Sequence, residues 1–375
     1  MNNSTYVLIM AGGIGSRFWP VSRTDYPKQF LDILGTGSTL IQQTWRRFEG
    51  LVPMENIFVV TAEEYIDLVK EQLPLMPRQN IIGEPERKNT AACIAYMSFK
   101  LAQLDPNARL LVAPSDQLIL QESVFHQVCR LGFDYIDQHS ALVTLGIKPT
   151  YPATGFGYIQ MDELKLADSV YSVKRFVEKP YLGLANSFMK REDFFWNAGI
   201  FIWKVSEILT AFKTHLPELY RLFDESKDSL NTPAERDAIA YIYYHCESIS
   251  IDFGILEKSD NVVMIPAYFD WSDLGSWTSA WRSMNKDESG NATAGKNIIM
   301  IESRNCMVQA SANKLLLVQG LDDFIIVDTS DVLLISHKEK EQEIKTYLTD
   351  VKQRTGAQFL YSANYYTEKE ESRIF

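Results

Sequence analysis

The sequence predicts an α/β protein built in layers, followed by a small β unit, on three observations. Short and almost wholly apolar runs alternate with helical patterns through the first half, a glycine-rich loop follows the first run directly, and closely spaced short runs fill the C-terminal part. The early runs are YVLIMAG (6–12), IFVVT (57–61), RLLVAPSD (109–116) and ALVTLGI (141–147). Continuous apolar runs of this length suit strands buried on both faces of a parallel sheet. Helix-like segments lie between them, at 39–48 and 90–104. Strands alternating with helices place ligands at the carboxyl ends of the strands.

From Gly155 the pattern mixes. FGYIQM and YSVKRFVEKP read as strands, 185–191 as a short helix, AGIFIWK as a strand and 205–244 as largely helical, followed by ISIDFGILE and NVVMIPA. This predicts an α+β insertion on the rim of the sheet. The polar stretch SMNKDESGNATAGKN (283–297) reads as a linker. After it come NIIMIE, CMVQA, KLLLVQ, DFIIVDT and DVLLIS, then a charged helix over 338–353. The expected division is a catalytic domain over 1–285 and a small β unit with a terminal helix over 286–375, without a strict internal repeat.

Composition narrows the class. With 37 Lys plus Arg against 48 Asp plus Glu the formal charge is −11, too acidic for a nucleic-acid coat. At 46% hydrophobic and 23% charged residues the chain is globular, not disordered. The opening MNNSTYVLIMAGG lacks a basic region and is too briefly apolar for a signal peptide or a spanning helix. Cys93, Cys129, Cys246 and Cys306 form no CxxC and do not cluster with the five histidines, so neither a zinc site nor a disulfide framework is expected. The expectation is a reduced, cytoplasmic protein with no membrane segment.

The loop Ala11-Gly12-Gly13-Ile14-Gly15-Ser16-Arg17 can turn its amides toward phosphate oxygens. Between Met10 and Phe30 the charges are Arg17, Arg23 and Lys28 against Asp25, a reversal of sign that suits an anionic ligand. A plain strand-to-helix turn is the alternative. The third glycine of GxGxxG is missing and no GxxxxGK[ST] occurs, so neither a dinucleotide fingerprint nor a P-loop is present. Asp116 ends the run RLLVAPSD, and Asp273 lies in FDWSDLG. Two such carboxylates suit Mg²⁺, which takes few protein oxygens and completes its shell with water and phosphate; a helix N-cap is the alternative for either one.

In chain order, MAGGIGSRFWPVSRTDYPKQF, GEPERKNTAACIA, VAPSDQLI, TGFGYI, FVEKP, FFWNAGIFIW and FDWSDLGSW resemble the mannose-1-phosphate guanylyltransferase (GDP-mannose pyrophosphorylase) family of the sugar nucleotidyltransferase superfamily. The resemblance runs over residues 6–281, and GLDDFIIVDTSDVLLISHK is similar to the family's C-terminal part. GGxGxR and EKP alone would indicate any sugar nucleotidyltransferase. WPVSR, PKQF and EPERKNTA point to the guanylyl and mannose branch.

The resemblance implies a Rossmann-like (GT-A-like) three-layer nucleotidyltransferase domain and a small β unit like a left-handed β-helix. It implies that GTP and mannose 1-phosphate give GDP-mannose and pyrophosphate with Mg²⁺, or Mn²⁺ in its place. Arg17, Lys28 and Lys179 are then the catalytic cations. Ala11, Gly12, Gly13, Gly15, Glu84, Asn89 and Thr90 face the nucleotide, and Gly157, Glu178 and Asn197 the sugar. Asp116 and Asp273 hold the metal. Phe194, Phe195, Trp196 and Trp203 are expected to serve mostly in the core, with some as sugar-facing walls. Gln117 stands where many members carry His, beside a metal carboxylate. Some members extend into a cupin-type phosphomannose isomerase domain, and isomerase activity is not expected of this sequence. A homo-oligomer, a dimer, is expected through the β unit. The alternatives are a pyrophosphorylase for another sugar 1-phosphate or nucleoside triphosphate, and a silent sugar-nucleotide-binding regulatory subunit. The joint presence of Arg17, Lys28, Asp116, Lys179 and Asp273 argues against the silent reading.

Overall fold

The apolar runs of the first half become the middle of one large sheet because each is shielded on both faces. The computed structural model describes residues 4–311, 313–363 and 365. They divide into two units, one from residues up to Gly12, Trp45–Ser115 and Ile119–Trp271, the other from Gly13–Thr44, Asp116–Leu118 and Ser272 onward.

The first unit carries β1 (Thr5–Met10), β2 (Ile57–Ala62), β3 (Ile81–Glu84), β4 (Arg109–Pro114), β6 (Leu142–Ile147), β7 (Tyr158–Ala167), β8 (Val170–Val177), β9 (Phe194–Lys204) and β10 (Val262–Ala267). The two-residue strands β5 (Leu118–Ile119) and β11 (Trp271–Ser272) lie outside this sheet. Its order is β3-β2-β1-β4-β9-β6-β10-β8-β7. β1 pairs in parallel with β2 and β4, and β6 with β10, whereas β9 runs antiparallel between β4 and β6. The strand expected at AGIFIWK therefore starts earlier, at Phe194, and takes eleven residues into the sheet's centre. Phe194, Phe195, Trp196 and Trp203 are buried core residues.

The helix Asn89–Leu104 buries small residues, Ala91, Ala92 and Ala95, so it packs closely, while its larger Ile94, Met97 and Phe99 enter the core shared with the helices Val205–His215, Pro217–Ser226 and Glu235–His245. ISIDFGILE forms no strand, and its residues Asp252–Leu256 make a π-helical turn. Among the described residues no helix is long and apolar enough to cross a membrane.

The second unit joins the glycine-loop segment to the C-terminal part. β12 (Ala292–Ala294), β14 (Met307–Gln309), β16 (Phe324–Asp328) and β17 (Leu333–His337) form one sheet, and β13 (Ile298–Ile301) and β15 (Leu316–Gln319) another. From β12 to β16 successive strands alternate between the two sheets and pair in parallel, β12 with β14, β14 with β16 and β13 with β15, and β17 then returns antiparallel on β16. That alternation is a coil, with Val308, Val318 and Ile326 stacked inside it. The charged C-terminal segment begins as a 3₁₀ turn, Lys338–Glu343, before the helix Ile344–Thr355.

Phe18, Trp19 and Ile33 share a core with Leu274, Trp277, Met307, Ile325 and Ile344. Phe18 and Trp277 meet edge to face at 4.9 Å between centroids. Arg23 is the polar clamp of this unit: it is buried, pairs with Asp331 at 2.7 Å, and donates to the carbonyls of Pro20, Phe359 (2.7 Å) and Tyr361 (3.1 Å). Breaking one partner of a buried pair leaves the other desolvated and unmatched, which costs about 3 kcal/mol. Arg23→Ala is therefore expected to lower the denaturation midpoint by that order, with no comparable loss on Arg221→Ala, whose partners Glu218 and Glu225 are exposed. Equal midpoints for the two variants would remove Arg23 from this role.

Candidate active site

In the second unit the loop folds back on itself. Gly15 has φ +67°, and a Cβ there would collide with the Lys28 side chain, so conformation and space both require glycine. The Ile14 carbonyl accepts from Lys28 N (3.3 Å) and from the Ser22 hydroxyl (2.6 Å), which brings residue 28 back to the loop. Lys28 is only 3% exposed. Its Nζ donates to Asp116 Oδ2 at 2.9 Å and to the Asp273 carbonyl at 2.8 Å. Burial pushes the Asp273 carboxyl above its ordinary range and the Asp116 charge adds to this, while Lys28 and Arg17 oppose it. A Cβ on Gly275 would strike the Asp273 carboxylate, and Leu274 between them holds φ +42°.

The structure thus brings Arg17, Lys28, Asp116 and Asp273 into one electrostatic group. Arg17 Nε is buried without a hydrogen-bond partner. Such a donor is open to an acceptor from outside the chain, a water or an anion. Among the described residues no three or more His, Cys, Asp or Glu groups converge as a metal cage. A pair of carboxylates, one of them desolvated and facing the other's charge, fits a hard divalent cation that keeps water and phosphate ligands. Arg23, counted among the loop's cations from sequence, is not available to an anion, because Asp331 and three carbonyls occupy it.

In the first unit Glu84 ends β3 with 8% exposure, and its Oε1 accepts from the Tyr243 hydroxyl at 2.7 Å. Burial pushes its carboxyl up to about 7, against the Tyr243 hydrogen bond and the charge of Arg87. A Cβ built on Gly12 would lie 3.7 Å from Glu84 Oε2. Ala11 is held by backbone, with its N donating to Val60 O at 2.8 Å and its carbonyl accepting from the Thr61 hydroxyl at 2.9 Å. Asn89 is exposed at φ +65° and accepts from Thr90 N at 2.9 Å. The Thr90 hydroxyl accepts from Ile251 N at 2.9 Å, a structural tie that its sequence position did not reveal.

A second group of the first unit gathers Gly157, Glu178, Lys179 and Asn197. The Gly157 carbonyl accepts from Asn197 N at 2.8 Å, and a Cβ on Gly157 would meet the Glu178 carboxylate. Lys179 holds φ +46° and its Nζ contacts Glu178 Oε1. The left-handed backbone is costly for lysine, and it is held there with Lys179 N donating to Phe156 O at 3.2 Å. Asn197 Oδ1 accepts from the Thr144 hydroxyl (3.0 Å) and Gly199 N (3.1 Å), and its Nδ2 donates to Asp252 Oδ1 at 2.8 Å. That leaves one amide N–H unassigned. Asp252 was missed from sequence. Burial, then the Glu178 charge, raises its carboxyl to about 6. An acidic residue inside the apolar run ISIDFGIL was the available signal.

Residues 6–290 match the Nucleotidyl transferase family, and residues 296–350 match the MannoseP isomerase/GMP-like beta-helix domain. The chain is 35% identical over 358 residues to a mannose-1-phosphate guanylyltransferase of Klebsiella pneumoniae, covering 94% of this chain and 75% of the relative. It is 36% identical over 343 residues to mannose-1-phosphate guanylyltransferase RfbM of Salmonella typhimurium, covering 90% and 70%. Among solved structures, a mannose-1-phosphate geranyltransferase from Thermus thermophilus matches with TM-score 0.83 and 26% identity over 93% of this chain and 99% of that one. The α/β sheet and the coiled β unit are those the sequence predicts, and the match of residues 6–290 to one family model makes the chain a member of the nucleotidyl transferase family.

Proposed function

We infer that this chain transfers the guanylyl group of GTP to mannose 1-phosphate, giving GDP-mannose and pyrophosphate. One observation carries the chemistry: Arg17, with its orphan Nε, and Lys28, bonded to Asp116 and the Asp273 carbonyl, converge at a glycine loop. Both reactants are polyanions, so their repulsion dominates the barrier and the chain's task is alignment and charge neutralisation. The loop amides of Gly12, Gly13 and Gly15, with Arg17 and Lys28, hold the GTP phosphates and the departing pyrophosphate, while Ala11, whose N–H is given to Val60 O, fixes the start of the loop. The sugar phosphate oxygen that attacks the α-phosphorus is ionised at neutral pH, so no general base is required.

Lys179 grips the sugar phosphate, and Glu178 and the spare Asn197 N–H meet mannose hydroxyls. Gly157 contributes space, since its carbonyl is already engaged. An inverted hydroxyl would leave these buried groups unpaired, which is how such a pocket discriminates. Glu84 accepts from guanine N1 and the 2-amino group, with Asn89 and Thr90 shaping that wall. Asp116 and Asp273 would hold Mg²⁺ or Mn²⁺, which supplies positive charge to the phosphates when bound. The working setting is the cytoplasm. The test of the reaction is pyrophosphate release with GTP, ATP, UTP or dTTP crossed with mannose or glucose 1-phosphate; GTP with mannose 1-phosphate is expected to lead by tenfold or more, and another leading pair would overturn the base or sugar assignment.

Arg17→Ala removes one electrostatic donor and should lower turnover by ~10²-fold, read by the same assay with the melting temperature unchanged. A loss below threefold would take Arg17 out of the phosphate site.

Glu84 supplies a pH dependence with a definite sign. Its raised carboxyl adds fold stability below its ordinary pKa of 4.5, and this is lost as pH rises through about 7. Guanine needs the ionised form, so affinity moves oppositely and improves over the upper part of that window. GDP-mannose binding, measured by calorimetry, should be about tenfold tighter at pH 8 than at pH 6, and Glu84→Gln should flatten the difference.

The expected dimer draws on the outer face of the β unit, where the cross-strand pair Ile299 and Leu317 is 45% and 55% exposed. Light scattering should report a dimer for the native chain and a monomer for Ile299→Glu with Leu317→Glu. A native monomer at micromolar concentration would end this reading.

A further inference from the structure

Tyr243 lies in the helix Glu235–His245, far along the chain from the guanine-facing block, and is fully buried. Its hydroxyl donates to Glu84 Oε1 at 2.7 Å. A buried phenol aimed at a buried carboxylate needs a reason, because two apolar side chains would fill the same space without desolvating either group. The geometry supplies one. With Oε1 held from the helix side, Oε2 lies on the side of Gly12, where a Cβ would come to 3.7 Å from it, an ordinary contact.

The other groups facing Glu84 do not do this. Cys93, from the helix Asn89–Leu104, is a buried thiol held neutral by burial, and its nearness to Glu84 raises it further. Cys246 and Tyr96 likewise feel the Glu84 charge and are raised by burial. Arg87 favours the ionised carboxyl by charge, but its guanidinium is bonded to Glu64 and the Tyr65 hydroxyl. Among the described residues Tyr243 gives Glu84 its side-chain hydrogen bond.

We propose that Tyr243 is a positioning residue for purine discrimination: its hydroxyl holds Glu84 as an oriented anion, the form that accepts from guanine N1–H and N2–H and rejects adenine. The inference rests on the reading of Glu84 as the guanine-facing carboxylate. The chemistry of the alternative is specific. Adenine offers an acceptor at N1 where guanine offers a donor, so a protonated Glu84 carboxyl, itself a donor, suits adenine. Removing the Tyr243 hydroxyl withdraws a hydrogen bond that favours the ionised form, and the protonated form gains. Loss of the hydroxyl therefore weakens GTP and admits ATP by a single cause.

The test compares native enzyme, Tyr243→Phe, Glu84→Gln and the double variant, with GTP and ATP as substrates and mannose 1-phosphate as acceptor. Tyr243→Phe keeps the ring, and is expected to cut the GTP-to-ATP ratio of kcat/KM at least tenfold at pH 7, mainly through KM, with kcat at saturating GTP within twofold of native. The pH midpoint for GDP-mannose binding should move upward by about one unit. Tyr243→3,5-difluorotyrosine, a stronger donor of the same shape, should move it downward, and serves if the Phe variant folds poorly. The double variant should be no worse than Glu84→Gln alone. An unchanged GTP-to-ATP ratio and midpoint in Tyr243→Phe, beside a changed ratio in Glu84→Gln, overturns the role of Tyr243. If Glu84→Gln itself leaves both unchanged, the guanine-facing reading of Glu84 falls, and the inference with it.

Discussion

The first unit depends on the insertion of β9 between β4 and β6. A strand in that position is hydrogen-bonded on both edges and covered on both faces, so nearly every residue of FFWNAGIFIWK has to be apolar or small. The insertion is antiparallel to both neighbours, with Ile202 opposite Leu111 on one side and Val143 on the other. A one-residue slip would turn every side chain to the opposite face, which pins the register. The register breaks at one place, between Thr144 and Gly146, and there β9 presents Asn197, with Gly199 in the left-handed region two residues on. The irregularity redirects a polar side chain at a point where a regular strand would bury it in the sheet. Thr144, Gly199 N and Asp252 then hold the amide in a single orientation.

Preorganisation of charge is the common theme of the groups described. In the second unit Lys28 is desolvated yet satisfied by Asp116 and the Asp273 carbonyl. In the first, Glu84 and Asp252 are carboxyls that burial makes reluctant to ionise, each held by a neutral side-chain donor, Tyr243 or Asn197. A neutral donor orients a carboxylate without cancelling its charge, whereas a lysine would neutralise it before any ligand arrived. Donors and acceptors fixed before the substrate enters need no reorganisation during reaction, which is where such sites gain most over water.

Much of this was legible in the sequence because it is local. Continuous apolar runs marked β1, β2, β4 and β6, and Gly15 with Lys28 marked the loop, whose closure depends on residues only thirteen positions apart. What was not legible depends on distant partners. Arg23 reads as a phosphate cation until Asp331 and the carbonyls of Phe359 and Tyr361 take it. Tyr243 reads as one aromatic in a helix, and Asp252 as a polar interruption, since neither signals that it meets Glu84 or Asn197. The short C-terminal strands were visible in the apolar runs, whereas their coiling was legible through the family resemblance and not through the pattern, because each coil repeats geometry and not residue identity.

The balance of charge around the glycine loop bears on why a divalent ion belongs to the reaction. Of the cations that sequence places there, Arg23 is matched by Asp331 and Lys28 by Asp116, while Asp25 accepts from Ser362 N at 2.8 Å. Arg17 is left with a donor unfilled by the chain. One guanidinium and a few amides cannot offset the several negative charges of a nucleoside triphosphate together with a sugar phosphate. Were Lys28 to leave Asp116 for a phosphate oxygen, a carboxylate pair would stand unmatched beside the incoming anion unless another cation answered it. Asp116 and Asp273 would hold a divalent cation that answers both requirements. In this arrangement the two aspartates and Lys28 act as one electrostatic unit, and removing either aspartate would disturb the lysine as much as the metal.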